Sequence, residues 1–305
     1  MSTYETRDEG PLSPGVHAVT RAGVALQYRV AGRGPLLVFH PPGWGVGPAL
    51  YEATLQALEP SFTVVYVSPR GAAGMPAPPP EAALDVPAFV NDLERLRVHW
   101  GVPRVALAGH SHSGFIALHY ALQYPEHVAR LVLLSPQLTG LDVAPDAAPA
   151  ATTPEPPEIA AALAYLGSVG GFGAIFAEPT DAGVTAFVRR IAPIYFRDPG
   201  KMAPLSAALA RLTLPRRTVH EVTRSDERHA LHAEALRALA IPVVIAAGRH
   251  DRVCPIERAQ LLARLIPRAR LRVFEASGHF PWIEEPAAFF EDVPALLHDA
   301  AATDQ

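Results

Sequence analysis

The chain alternates between short apolar runs and longer amphipathic stretches. Uninterrupted apolar runs are typical of strands buried on both faces of a parallel sheet. The segments that we interpret as such strands are residues 35–39, 62–67, 105–110, 128–134 and 241–248, and residues 270–275, which alternate charged and apolar positions, are interpreted as the last strand. Between them, apolar positions recur at helical spacing, as in residues 86–100, where Asp85 is placed to cap the helix. Strands that alternate with helices predict a mostly parallel sheet with helices on both faces.

The N-terminal part of the chain follows a different pattern. Residues 16–20 and 24–30 alternate apolar and polar positions around a short turn, which is typical of an antiparallel hairpin. Residues 1–14 lack such a pattern, and we interpret them as a loose arm. Together with the apolar runs, the hairpin predicts an α/β fold with a mostly parallel eight-stranded sheet.

The strand pattern stops between residues 136 and 239. Residues 144–157 are rich in Ala, Pro and Thr, as in a surface linker. Helical patterns follow at residues 159–166, 185–191, 205–212 and 229–239. We therefore predict a core formed by residues 1–135 and 240–305, with residues 136–239 inserted into it as a helical cap.

The apolar run at residues 105–110 leads directly into a helical pattern, with Ser111 at the junction. The residues two before and two after it, Gly109 and Ser113, are small, and Gly114 follows. A sharp strand-to-helix turn strains its tip residue and needs small neighbours, since the strand and the helix pass close together. It also lifts the tip hydroxyl to a helix N-terminus, where developing negative charge is stabilised. The pattern predicts a nucleophile elbow in which Ser113 replaces the usual glycine.

Two polar residues follow later predicted strands. Asp251 comes just after residues 241–248, and His279 comes after residues 270–275. Catalytic groups in open α/β sheets collect at the carboxyl ends of the strands. A serine hydroxyl needs a base to take its proton, and that base needs an acid to orient it. We therefore predict that Ser111, Asp251 and His279 are the nucleophile, the acid and the base of a catalytic triad.

With these motifs the chain resembles the α/β-hydrolase family over residues 16–297, nearly its whole length. Its sequence motifs are most similar to those of the proline-iminopeptidase-like branch, a group of serine hydrolases that carry helical caps. The matching motifs are Gly-His-Ser-His-Ser-Gly at 109–114, Tyr-Pro-Glu-His-Val-Ala-Arg-Leu-Val-Leu-Leu-Ser at 124–135, Gly-Arg-His-Asp at 248–251 and Ser-Gly-His-Phe-Pro-Trp-Ile-Glu-Glu-Pro at 277–286. The resemblance implies a cofactor-free hydrolase. It does not identify the substrate, because members of the branch are functionally diverse.

The chain departs from the family after its third predicted strand. Relatives carry a run such as His-Gly-Gly-Pro-Gly, whose second residue after the histidine donates an N–H to the oxyanion. This chain has His-Pro-Pro-Gly-Trp-Gly at residues 40–45, and neither proline in the run has an N–H to donate. Losing one donor costs on the order of 100–1,000-fold in acyl-transfer rate. We expect the oxyanion hole to use the N–H of His112 and that of Gly43 or Trp44.

A second departure lies after the fourth predicted strand. Relatives often have Asp-x-Arg-Gly-x-Gly there, whereas this chain has Ser68 at the first position and Ala73 at the second glycine. Arg70 is retained, and we interpret it as half of a structural ion pair near the floor of the site. His40 and His110 are likewise interpreted as scaffold residues rather than as catalysts.

Aromatic side chains flank the predicted site in the sequence. We expect Trp44 and Phe280 to line the substrate pocket together with His112 and the cap residue Tyr195. This lining favours a substrate with a bulky apolar part. An iminopeptidase also needs cap carboxylates to hold a free amino terminus, and no carboxylate of the predicted cap can be matched to that role. The candidates considered are Glu178, Asp181, Glu221, Asp226 and Glu227.

Composition and charge exclude several classes of partner. The net charge is −4 without any Lys/Arg-rich run, so we expect no nucleic-acid partner. No apolar run reaches the roughly 18 residues that span a bilayer, and residues 1–10 lack the apolar core of a signal peptide. The single cysteine, Cys254, excludes an internal disulfide and fits a reducing cytoplasm. Histidines flank Ser111 without a third clustered ligand, so we expect no metal and no other cofactor.

These features predict a cytoplasmic serine hydrolase, monomeric or homodimeric. It would cleave an ester, lactone or amide bond of a small, largely apolar substrate through an acyl-serine intermediate. One alternative is a cofactor-free lyase, cyclase or oxygenase on a specialised metabolite, in which Ser111 and His279 transfer protons and no ordinary oxyanion hole is needed. A proline-iminopeptidase-type aminopeptidase and a ligand receptor built on a hydrolase fold are further alternatives.

Overall fold

The computed structural model describes residues 10–21, 23–146 and 154–302. An eight-stranded sheet with the order β1-β2-β4-β3-β5-β6-β7-β8 runs through it. In chain order the strands are β1 (Gly15–Arg21), β2 (Val24–Gly32), β3 (Leu36–His40), β4 (Thr63–Ser68), β5 (Val105–His110), β6 (Val128–Leu134), β7 (Val243–Gly248) and β8 (Ala269–Phe274). Strand β2 pairs antiparallel with β1 and β4, and the other neighbouring strands are parallel. The predicted mostly parallel α/β fold is therefore confirmed.

Helices lie on both faces of the sheet and fill the segment between β6 and β7. In chain order they are α1 (Ala49–Thr54), α2 (Val86–Trp100), α3 (His112–Gln123), α4 (Pro157–Ser168), α5 (Asp181–Ile191), α6 (Ala203–Arg211), α7 (Arg216–Asp226), α8 (Ala233–Arg237), α9 (Ile256–Leu265), α10 (Pro281–Glu284) and α11 (Pro286–Ala302). Asp85 caps α2 as predicted, accepting a hydrogen bond from the Ala88 N–H at 2.9 Å. Within the described ranges, no helix has both the length and the apolar character needed to cross a membrane.

The two faces of the sheet bury separate apolar cores. Along β4, Val65 and Val67 pack with side chains of α2, α3 and α9, whereas Val64 and Tyr66 pack with side chains of α1 and α11. Successive side chains of a strand point to opposite faces, so a strand covered on both sides has no position that favours a polar residue. This is the physical reason for the uninterrupted apolar runs in the sequence.

The helices between β6 and β7 have an apolar cluster of their own. Ile159, Val184, Phe187 and Val219 are among its buried members, and they come from α4, α5 and α7. The same segment also contributes to the sheet's core, where Phe196, Leu205 and Leu209 pack with residues of the α1 and α11 side. The division into a core and a cap at residues 136–239 stays a prediction.

The main error of the sequence-based assignment lies in this segment. We predicted one helix at residues 229–239, but the structure has α7 at Arg216–Asp226 and then the short α8 at Ala233–Arg237. Helix α7 is mostly polar, and Val219 and Val222 are the only aliphatic residues on it, so its apolar stripe was too weak to detect. Residues 1–9 of the predicted arm and 147–153 of the predicted linker lie outside the described residues.

Arg70 forms the structural ion pair that the sequence suggested. Its guanidinium donates through Nε and Nη2 to the two carboxylate oxygens of Asp92 on α2, each at 2.6 Å, and both side chains are buried. A third donor, Nη1, bonds the Ala83 carbonyl at 2.9 Å. Bidentate pairing of this kind joins the loop after β4 to the helix beside it.

His119 on α3 is expected to make the protein less stable in acid. Burial lowers the pKa of this imidazole from 6.5 to about 4, an effect that the hydrogen bond to the His229 carbonyl only partly opposes. Between these two pKa values the unfolded chain binds a proton that the folded protein does not. The contribution of the neutral ring to stability is therefore fully present above pH 6.5. It is lost as the pH drops below that value, by up to about 1.4 kcal/mol per pH unit.

The substitution His119→Gln keeps a donor for the His229 carbonyl and removes the titration. We expect the free energy of unfolding of this variant, measured by urea denaturation across that pH window, to depend less steeply on pH than that of the wild type. Parallel curves for the two proteins would contradict the assignment.

Candidate active site

Ser111 occupies the sharp turn between β5 and α3, with φ 56° and ψ −123°. Such a backbone conformation costs on the order of 1–3 kcal/mol in a residue other than glycine and persists only where the surroundings enforce it. A Cβ on Gly109 would overlap the Ser113 carbonyl, and one on Gly114 would lie 2.7 Å from Pro136 Cβ. The small residues are therefore required by the close passage of strand and helix, and Ser111 has the backbone of a nucleophile elbow.

Asp251 and His279 follow the adjacent strands β7 and β8, and their side chains meet. His279 Nδ1 lies 2.7 Å from Asp251 Oδ2, and both residues are buried. The other carboxylate oxygen accepts hydrogen bonds from the N–H groups of Val253 and Cys254, each at 2.8 Å. Because Nδ1–H donates to the carboxylate, Nε2 carries the free lone pair, and it has no hydrogen-bond partner among the described residues.

Ser111 and His279 line the same cavity, whose volume is about 280 Å³. Asp251 stands behind His279, so all three predicted residues come together at the carboxyl ends of their strands. The predicted pocket residues Trp44, His112, Phe280 and Tyr195 also line this cavity. Most of the remaining wall is aliphatic or aromatic, with Pro42, Val46, Leu50, Tyr51, Phe172, Ile175, Val188, Leu205, Leu209, Leu214, Val219 and Val253.

The loop after β3 does not offer the N–H of Gly43 to a bound oxyanion. That N–H donates to His112 Nδ1 at 3.2 Å. A Cβ at this position would lie 3.1 Å from both His112 Cε1 and Phe89 Cε2, so the close approach to the imidazole favours glycine. The expectation of Gly43 as an oxyanion donor is therefore corrected, whereas Trp44, next in the chain, lines the cavity.

The side chain of His112 is held between this loop and helix α7. Its Nε2 donates to Asp226 Oδ1 at 3.0 Å, and Asp226 Oδ2 accepts from Gln137 Nε2 at 3.2 Å. Since Nδ1 accepts from Gly43, the ring is the neutral tautomer with its proton on Nε2. Asp226 is 1% exposed, and its contact with His112 was not predicted from the sequence. The signal that could have found it is the helical spacing of Val222 and Asp226.

Two other buried histidines act as scaffold residues. His110 donates from Nε2 to the His279 carbonyl at 3.0 Å and accepts from the Tyr51 hydroxyl at 2.9 Å, and burial lowers its pKa. His40 bonds Ser113 through Nδ1, while the Ser113 hydroxyl donates to the Pro41 carbonyl at 3.0 Å. Burial lowers the pKa of His40 to about 3, so the ring is neutral. Ser113 in place of glycine thus supplies a bond that orients the loop.

Acidic and metal-binding groups are scarce around the cavity. Asp226 is held by His112 and Gln137, and the other cap carboxylates considered above do not line the cavity. The described residues contain no cluster of His, Cys, Asp and Glu that could hold a metal ion. Cys254 lines the cavity next to Ser111, and burial raises the pKa of its thiol, an effect that the Ser111 hydroxyl partly opposes.

Comparison with known proteins bears on the fold and on the class of protein. The family model described as alpha/beta hydrolase fold matches residues 35–181. A pimeloyl-[acyl-carrier protein] methyl ester esterase from Aromatoleum aromaticum is 29% identical, over 88% of this chain and 98% of that protein. A 2-hydroxymuconate semialdehyde hydrolase from Pseudomonas sp. (strain CF600) is 27% identical, over 93% of this chain and 94% of that protein.

A solved structure has the same architecture. An esterase from Rhodococcus sp. ECU1013 superposes with a TM-score of 0.73 at 22% identity, over 94% of this chain and 99% of that one. The eight-stranded sheet, the elbow at Ser111 and the matching family model lead to one conclusion. The chain has the α/β-hydrolase fold and is a hydrolase with esterase-type relatives.

Proposed function

We propose that the protein cleaves an ester, lactone or amide bond of a small, largely apolar substrate through an acyl-serine intermediate. The observation that carries the proposal is the arrangement of His279. Its Nδ1–H is held by a buried carboxylate, its Nε2 is free, and it lines the same cavity as a serine on a strained elbow. This is the arrangement that activates a weak hydroxyl nucleophile.

In the first half-reaction, His279 Nε2 takes the proton of the Ser111 hydroxyl while Oγ attacks the carbonyl carbon. The imidazolium then returns this proton to the leaving alkoxide or amine as the tetrahedral intermediate collapses to the acyl-serine. Asp251 stays ionised, holds the tautomer and stabilises the imidazolium. Its second oxygen is fixed by two backbone N–H groups, so the carboxylate cannot rotate away from the ring.

In the second half-reaction, water replaces the leaving group. His279 takes one proton from the water as its oxygen attacks the acyl carbon, and returns that proton to Ser111 Oγ when the carboxylic acid departs. We assign the oxyanion donors to the N–H of His112, at the start of α3, and the N–H of Trp44. Pro42 has no N–H, and that of Gly43 already bonds the His112 ring.

The lining of the cavity favours an ester or lactone over a peptide. An aminopeptidase must pair the substrate's ammonium group with carboxylates, and none of the cap carboxylates considered lines the cavity. The esterase names of a sequence relative and of a structural neighbour support the same preference. We extend the proposal to a small-molecule substrate, a cytoplasmic location and a monomer or homodimer.

A second candidate function is cofactor-free proton transfer by Ser111 and His279, as in a lyase, cyclase or oxygenase. The observation that favours it is the loop after β3, where Pro42 lines the cavity without an N–H and Gly43 is directed at His112. Chemistry of this kind does not need a complete acyl oxyanion hole.

The proposal is tested with a serine-directed fluorophosphonate followed by intact-mass measurement. We expect one adduct on the wild type, none on Ser111→Ala, and slower labelling of Asp251→Asn. A screen of p-nitrophenyl esters, lactones and proline anilides then ranks the leaving groups. An unlabelled wild type, or equal labelling of Ser111→Ala, would overturn the acyl-serine mechanism.

A further inference from the structure

We propose that Arg258 binds a carboxylate on the substrate, so that the substrate class is an ester whose acyl chain ends in an acid group. This inference rests on the proposed hydrolase function and makes its substrate more specific. The juxtaposition that carries it is a cation on one wall of an otherwise largely apolar cavity that also contains Ser111 and His279.

Arg258 lies in the first turn of α9 and is half-buried. Its Nη1 donates to the Leu138 carbonyl at 2.7 Å, which holds the guanidinium beside the loop after β6. In the described part of the chain, no carboxylate forms an ion pair with this guanidinium. A cation that is partly removed from water and held by a single carbonyl has unused donors that favour an anion.

The neighbouring loop adds further polar groups on the same wall. Gln137 and Thr139 flank Leu138 in the sequence, and both line the cavity. Gln137 Nε2 donates to Thr139 Oγ1 at 2.8 Å, which leaves the threonine hydroxyl proton to donate to a ligand. A guanidinium that can bind two oxygens, with a hydroxyl beside it, matches the requirements of a carboxylate.

The polar wall is close to the nucleophile. The backbone N–H of Gln137 donates to the Ser111 carbonyl at 3.0 Å, which links the loop to the elbow. Burial and the charge of Asp251 raise the pKa of the Cys254 thiol, whereas Arg258 and the Ser111 hydroxyl both oppose this rise. The pKa of this thiol is therefore influenced by both the guanidinium and the Ser111 hydroxyl. Ser111 and Arg258 line the same cavity of about 280 Å³, so one small substrate can contact both residues.

The test compares two esters that differ only at the end of a six-carbon acyl chain: mono(p-nitrophenyl) adipate, which carries a carboxylate, and p-nitrophenyl hexanoate, which ends in a methyl group. We expect wild-type kcat/KM to favour the adipate by about tenfold or more, because hydrogen bonds to charged groups contribute about 1.5–3 kcal/mol. In Arg258→Met we expect KM for the adipate to rise about 10–100-fold, on the same scale, with little change for the hexanoate.

The matched control is Arg264→Met on the same helix, since Arg264 is half-exposed and pairs with Asp146 at 3.0 Å. This control should leave both esters unaffected, and Arg258→Lys, which keeps the charge, should retain part of the preference. An equal rate of the wild type on both esters, or a preference that survives Arg258→Met, would overturn the proposal.

A binding measurement distinguishes failure of the proposed carboxylate subsite from failure of the proposed hydrolase function. Ser111→Ala cannot form an acyl-serine, so calorimetry with monomethyl adipate and methyl hexanoate tests the subsite without turnover. We expect the acid to bind at least about tenfold more tightly than the neutral ester, on the scale of one charged hydrogen bond, and this difference to vanish in Ser111→Ala/Arg258→Met. Equal binding of the two compounds contradicts the subsite, whatever the enzyme does with esters.

Discussion

Replacing Ser111 by alanine is expected to lower kcat for ester hydrolysis by on the order of 10⁴–10⁶-fold, with KM almost unchanged. The hydroxyl is the group that forms the covalent bond, whereas the largely apolar walls that hold the substrate are untouched. His279→Ala should cost about as much, and the double variant little more than either single variant. Residues that act as one unit lose their function together, so their effects do not add. The kcat and KM of the single and double variants are measured from initial rates with an ester identified in the screen.

Ser135→Ala is the matched control for this prediction. Ser135 follows β6, the strand next to β5, and like Ser111 it has a positive φ, here 41°. It is fully buried, and its hydroxyl has no hydrogen-bond partner in the part of the chain that the structure describes. We expect near wild-type rates for this variant. If Ser111→Ala instead kept most of the activity while His279→Ala lost it, the proton-transfer function would replace the acyl-serine mechanism.

The second large effect is expected from Asp226, although it lies at the end of helix α7 and does not line the cavity. Asp226→Leu removes the acceptor of the His112 and Gln137 donors, and each buried donor left unpaired costs about 1–3 kcal/mol. Without this anchor the His112 ring no longer holds the Gly43 N–H, so the loop that carries Trp44 loses its position. We expect kcat to fall about 100-fold, the scale of losing one oxyanion donor.

Asp226→Asn separates orientation from stability. The asparagine oxygen can still accept from His112, whereas its amide group would face the Gln137 amide donor. We therefore expect most of kcat to survive in this variant, with a lower melting temperature than the wild type. Glu221→Gln on the same helix is the control, because Glu221 is partly exposed and, among the described residues, has an ion pair with Arg217 alone. An Asp226→Leu protein with reduced stability but unchanged kcat, measured well below its melting temperature, would show that Asp226 has no positioning role.

The parts of the fold that were predicted correctly share a local origin. Helix α2 and strand β6 were predicted with their observed bounds, because their apolar patterns are local to each segment. For α2, the Asp85 cap also marks where the helix begins. Ser111, Asp251 and His279 were predicted as a triad because each follows its own strand, and parallel strands end at the same edge of the sheet. This triad stays a prediction. Helix α7 was missed because its apolar stripe is too narrow to stand out in a polar sequence.

The sequence by itself determined the alternation of strands and helices, the candidates for nucleophile, acid and base, and the absence of an N–H at Pro42. Only the tertiary structure decided that Gly43 is directed at His112, that Asp226 holds this ring, and that Arg258 enters the cavity. The reason is distance along the chain. His112 and Asp226 are 114 residues apart, and their contact depends on how the cap helices pack on the sheet. No local periodicity encodes such packing, whereas an elbow is encoded by the few residues that form it.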